Sequence, residues 1–140
     1  DWVWIDPAVI VAVHEEQLTE HGGAAGLRDV GLLESALARP RHLAQYGSPD
    51  LAEPAASHAF GLARNHPFID GNKRTAHVCY RTFLALNDAN LVASDEEKYI
   101  AMLGLAEGSL GESDFADWLR KHLVLSTGDK VNEPRKTYPR

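Results

Sequence analysis

HPFIDGNKRT (residues 66–75) places a histidine, an aspartate, a lysine and an arginine around a Gly-Asn turn. Pro67 pushes the residue before it out of helical backbone, so a preceding helix ends at His66. Gly71 permits the positive φ of a tight turn, and Asn72 is a favourable N-cap for a following helix. The stretch therefore reads as a joint between two helices, with His66 presented at the end of the first. Lys73 and Arg74 open the second helix, where the macrodipole is already positive and cations are disfavoured. Stability does not explain them, whereas an anionic ligand does. The first amides of that helix point back into the loop as a phosphate-binding site, and Lys73 and Arg74 add full charges to it. Asp70 is an oxygen ligand able to hold Mg²⁺ beside a phosphate. His66 can take a proton from an attacking hydroxyl, a role worth ~10²–10⁴-fold. Phosphoryl or nucleotidyl transfer fits this inventory, because positioning and charge neutralisation carry most of that catalysis. Capping and solvation explain any one of these residues but not all of them at this spacing.

The rest of the chain supplies helices on either side. Upstream, Asp6-Pro7 starts a helix to about Glu20 with Val9, Ile10, Val13 and Leu18 on one face, ended by His21-Gly22-Gly23. GGAAG (22–26) connects it to a stripe of Leu32, Leu33, Ala36 and Leu37, expected to stop before Pro40. Residues 40–50 read as a surface loop or hairpin exposing Arg41, His42 and Tyr46. Pro54 falls in the first turn of a helix to about Asn65, whose Ala55, Ala59, Phe60, Leu62 and Ala63 permit close packing. Downstream, Ala76, Cys79, Phe83 and Leu86 mark the core stripe of a helix from about Asn72 to Asn87. Residues 90–93 read as a connector. A helix from about Glu96 to Glu107 is broken by Gly108 and Gly111. A last helix, SDFADWLRKHLVL (113–125), takes Ser113 as N-cap. The expectation is an all-α domain of about six helices over residues 1–125, with residues 126–140 as a flexible tail.

Bulk properties narrow the partners. The chain has 140 residues, 44% of them hydrophobic and 24% charged, which is ordinary for one soluble domain. No apolar run approaches the ~18 residues of a membrane span, and no signal peptide is visible. The single cysteine, Cys79, excludes an internal disulfide and suits a reducing cytoplasm. It sits on a core stripe and reads as structural. The net charge of −6 argues against a nucleic-acid partner; a local basic site on an acidic body suits a small polyanion.

The segment 66–75 resembles the motif of the Fic/Doc superfamily: His, any residue, Phe, any residue, Asp/Glu/Asn, Gly/Ala, Asn. Fic proteins continue with Gly-Arg, two variable residues and a second Arg. Doc-type proteins, the death-on-curing toxins, continue with Lys-Arg. Here Lys73-Arg74 follow, and His77 stands where Fic has its second Arg. EHGGAAGLRDVGLLESALARP (20–40) is similar to the Doc-like N-terminal region, and the resemblance covers about residues 2–125. It implies a Fic fold, ATP and Mg²⁺ as cosubstrates, and a place in a toxin–antitoxin system. It further implies transfer of the γ-phosphate to a hydroxyl of a target protein, with elongation factor Tu the target that Doc modifies to stop translation. Carried over residue by residue, His66 is the base and Asp70 the Mg²⁺ ligand. Gly71 and Asn72 bind phosphate, and Lys73 and Arg74 stabilise charge. Residues 40–50 correspond to a target-docking flap. His77, one turn after Lys73, is a further candidate for the nucleotide.

The self-inhibitory signature of Fic proteins is absent. Glu107-Gly108 is the only pair of its type, and Leu103 occupies its Ser/Thr position. An antitoxin acting in trans is the expected regulator. Two rival readings fit the same residues: an AMP-transferring Fic enzyme, and a non-catalytic module that uses the anion site for recognition. His14-Glu15 begins like a zinc-protease HExxH, but Leu18 replaces the second histidine. No Walker A loop is present. His58 reads as packed rather than catalytic, and Trp2, Trp4 and Trp118 as packing residues.

Overall fold

The computed structural model describes residues 2–47 and 49–126. Six helices and one small sheet follow in order: α1 Pro7–His21, α2 Val30–Tyr46, α3 Ala52–Asn65, α4 Asn72–Leu86, β1 Ala89–Leu91, α5 Asp95–Glu107, α6 Glu112–His122 and β2 Leu123–Leu125. The all-α expectation holds. Among the described residues no helix is long and apolar enough to cross a membrane. The expected tail falls, apart from Ser126, outside the described residues.

α3 is the central helix. Ten of its fourteen residues are buried, the pattern of a helix covered on all sides. Alanines dominate the face that packs on α2, α4 and α6, so neighbouring backbones come close. At Gly61 the approach to α2 is so tight that a Cβ would lie 3.0 Å from the Ala36 Cβ and 3.3 Å from the Ala36 carbonyl oxygen.

That crossing explains a departure from the sequence reading. α2 does not stop before Pro40; it runs through it to Tyr46. Residues 40–46 are therefore helix rather than loop, although Arg41, His42 and Tyr46 are exposed as expected. An interior proline costs about 3 kcal/mol, because its ring crowds the preceding turn and it has no N–H for the carbonyl four residues back. Here that carbonyl is Ala36, which faces the Gly61 crossing, and Pro40 itself is buried. Packing against α3 offsets the lost bond.

The C-terminal end also differs. Residues 89–91 are a strand, not a connector, and 123–125 leave the last helix to pair with them. The pairs are antiparallel: Ala89 with Leu125, Asn90 with Val124 and Leu91 with Leu123. The N-cap of α6 is Gly111 rather than Ser113. At the other terminus, Trp4 stacks on Phe83 at 5.5 Å and lies 6.1 Å from the His58 ring, with the Arg41 guanidinium 5.4 Å from its centroid. The Asn87 side chain accepts from the Val3 N–H and donates to the Val3 and Phe83 carbonyls. The first residues are thereby fixed across α3 and α4.

His58 is packed, not catalytic. Its Nδ1 donates to the Pro54 carbonyl at 2.9 Å, and burial, joined by the Arg41 charge, pushes its pKa down to about 4. The unfolded chain takes up this proton first, so the penalty is absent above pH 6.5, grows as pH falls, and is complete below about 4. At pH 5 it amounts to roughly 2 kcal/mol. Urea unfolding at pH 7 and pH 5 will show this loss. His58→Phe, which fits the same aromatic cluster, will reduce the pH dependence by about one proton.

Candidate active site

The joint between α3 and α4 is built from both sides. α3 ends on His66 in left-handed backbone, φ 51° and ψ 57°, a conformation costing a non-glycine residue about 1 kcal/mol. Pro67 and Phe68 then turn inward and are buried. Phe68 donates its N–H to Asn72 Oδ1, and Asn72 Nδ2 donates to the Phe68 carbonyl, both at 2.9 Å. This clasp makes Ile69, Asp70 and Gly71 protrude. It also corrects the expected cap: Asn72 is the first helical residue, and Gly71, with φ 76°, is the N-cap of α4. The Asn72 side chain is committed to the loop.

A strap from the α1–α2 connection closes over the joint. The Arg28 and Asp29 N–H groups both donate to the Pro67 carbonyl, at 2.7 and 3.1 Å, and the Ile69 N–H donates to Gly26. Leu27 and Phe68 form an antiparallel bridge. The Arg28 side chain donates through Nε to the His66 carbonyl and through Nη2 to the Asn65 carbonyl, each at 2.8 Å. From α1, His14 stacks on Phe68 with centroids 3.8 Å apart and planes 9° from parallel. Its Nε2 lies 2.7 Å from the Asp70 carbonyl oxygen. A carbonyl only accepts, so Nε2 carries the proton.

Among the described residues Asp70 is held by backbone alone: the Gly71 N–H donates to Oδ1 at 2.8 Å and the Ala24 N–H to Oδ2 at 3.3 Å. A carboxylate offers about four acceptor positions, so both oxygens keep capacity for a cation. The Gly71 amide is thereby used internally. Thr75 is the first amide of α4 bonded back, to the Gly71 carbonyl. The amides of Asn72, Lys73 and Arg74 are left as first-turn donors with no acceptor within the helix. Lys73 and Arg74 are exposed there, no acidic residue shares the turn, and neither has an ion-pair partner among the described residues.

All seven residues singled out in the sequence line one cleft of about 620 Å³: His66, Asp70, Gly71, Asn72, Lys73, Arg74 and His77. Its far wall is apolar, formed by Tyr99, Met102 and Leu103 of α5. His77 is neutral at pH 7: burial first, then the Arg81 and Lys98 charges, push its pKa down to about 4. Among the described residues its buried Nδ1 has no hydrogen-bond partner. It can meet a ligand only as a neutral donor or acceptor, unlike an arginine in that place. Cys79 takes no part, since burial raises its thiol to about 12. His42 and Tyr46 line a separate cleft of about 410 Å³ with Arg39, Leu43 and Glu53.

A family model described as Fic/DOC family matches residues 4–84. The chain is 33% identical over 118 residues to "Protein kinase doc" of Escherichia phage P1, covering 84% of this chain and 93% of that protein. It is 47% identical over 75 residues to "Toxin Doc" of Mycolicibacterium smegmatis, covering 51% of this chain and 57% of that protein.

His14 and the strap were not singled out as site residues from the sequence. His14→Ala will cost about 3 kcal/mol in urea unfolding, as expected for a buried ring. His14→Phe keeps the stack and loses only the bond to Asp70, so it will cost about 1–2 kcal/mol. Amide exchange at residues 69–71 will rise in both.

Proposed function

The chain belongs to the Fic/DOC family as a Doc-type member, and on that premise we propose that it is a toxin that transfers the γ-phosphate of ATP to a hydroxyl of a target protein. One observation carries this reading: a histidine, a backbone-held carboxylate and the cationic first turn of α4 open into a single cleft. The target hydroxyl oxygen attacks the γ-phosphorus, its proton passes to a ring nitrogen of His66, and ADP leaves. Lys73, Arg74 and the free amides of the first turn face the phosphates and stabilise the charge that spreads over their oxygens.

Asp70 fits Mg²⁺ because both its oxygens keep acceptor capacity. Among the described residues no group of three or more His, Cys, Asp or Glu is placed to hold a metal, so Asp70 would share the ion with phosphates and water. When bound, Mg²⁺ neutralises phosphate charge. Lys73 occupies the position that is glycine in AMP-transferring relatives of the motif, and neutral His77 replaces the second arginine. Both changes remove the phosphate approach that AMP transfer uses and favour an ATP that presents its γ end. The proposed target is elongation factor Tu, and the proposed regulator is an antitoxin acting in trans. The proposed compartment is the cytoplasm, where both are found.

Purified protein with Mg²⁺, a bacterial lysate and ATP labelled at the α- or γ-phosphate tests the reading. Label from γ-ATP alone, on a protein the size of elongation factor Tu, is expected. His66→Ala will lower transfer ~10²–10⁴-fold while remaining folded, because His66 is exposed. Label from α-ATP would establish AMP transfer instead. Undiminished transfer by His66→Ala would remove His66 as the base.

A further inference from the structure

We infer that Arg28 is a positioning residue for His66: its guanidinium grips the Asn65 and His66 carbonyls at the end of α3, and so fixes the left-handed turn that aims His66 into the cleft. The inference rests on the reading of His66 as the base. When a helix ends on a left-handed residue, one way to close it is for the next residue to donate its N–H back to the last turn. Here the next residue is Pro67, which has no N–H. His66 also lacks the freedom of the glycine that commonly holds this position. The conformation therefore needs support from elsewhere in the chain.

Arg28 is placed to give it. Its Nε and Nη2 donate to the His66 and Asn65 carbonyls at 2.8 Å each, a two-pronged grip on consecutive carbonyls that suits a planar guanidinium rather than an ammonium. A cation at a helix C-terminus is favoured by the macrodipole. The arginine is itself anchored: its N–H donates to Pro67, and the next residue, Asp29, caps α2 by accepting from Leu32. No carboxylate pairs with Arg28 among the described residues. It is exposed, so its side chain does not serve core packing. What it holds is the backbone that carries His66.

The test uses the whole chain with ¹³C-labelled histidine rings, in Arg28→Ala and Arg28→Lys. The His66 signal is identified by its loss in His66→Ala. In Arg28→Ala it is expected to shift or broaden while the buried His14 and His58 signals stay in place. Arg28→Lys, able to reach one carbonyl, will give an intermediate position. The rate of γ-phosphate transfer at saturating ATP will fall on the order of tenfold to a hundredfold in Arg28→Ala, with KM for ATP within about twofold. An unmoved His66 signal would overturn the positioning role whatever the transfer rate. A moved signal with unchanged transfer would overturn the positioning role, and transfer by His66→Ala, measured alongside, decides separately whether His66 is the base. If Arg28→Ala disturbs every histidine, Arg28→Lys decides: a change at His66 alone supports the role, and none overturns it.

Discussion

The clasp between the Asn72 amide and the Phe68 backbone is the interaction on which the site depends. It joins two residues four apart and leaves three between them with nowhere to go but outward. Phe68 becomes a buried plug, and Asp70 and Gly71 become the rim of a cleft. An asparagine suits this because its side chain donates and accepts at once, matching the N–H and C=O of one residue. His14 covers the other face of the plug and ties the Asp70 carbonyl to α1. The loop is thus held from α4, from α1 and from the connection between α1 and α2.

Around that frame the electrostatics are one-sided. α4 begins with two cations and no acid in its first turn, against the preference of the helix dipole. α5 shows the opposite: Asp95, Glu96 and Glu97 in the first turn, and Ser94 in a capping box with Glu97. Hydrogen bonds with Ser94, joined by a smaller contribution from the His122 ring 3.6 Å away, hold the Glu97 carboxyl below its usual range. The chain therefore stabilises one helix start by local rules and sets those rules aside at another. Functional sites are where such departures are expected.

Much of this was legible in the sequence because it is local. Apolar periodicity marked six helices, and the tight spacing of 66–75 marked residues that line one cleft. What was missed depends on distant partners. Pro40 is tolerated because Gly61 and Ala36 let α3 come close, and nothing next to Pro40 announces that. Residues 123–125 continue an apolar helical pattern and become strand only because 89–91 lie alongside. Ser113 lost its cap to Gly111, and Asn72 spent its amide on Phe68 instead of capping. His14 stood one turn after Ile10, on the buried face of α1, but its ring partner is 54 residues away. Arg28 reaches a helix end 37 residues on. Neither contact has a signature in its own neighbourhood.

The central claim is that the first turn of α4 receives the phosphates of a nucleotide. Titration of ¹⁵N-labelled protein with ATP and Mg²⁺ tests it most directly. Saturable shifts should centre on the amides of Asn72, Lys73 and Arg74 and extend to Asp70, and replacing Lys73 and Arg74 together by alanine should abolish them. Saturable binding whose shifts fall elsewhere, with residues 70–74 unmoved, would contradict it.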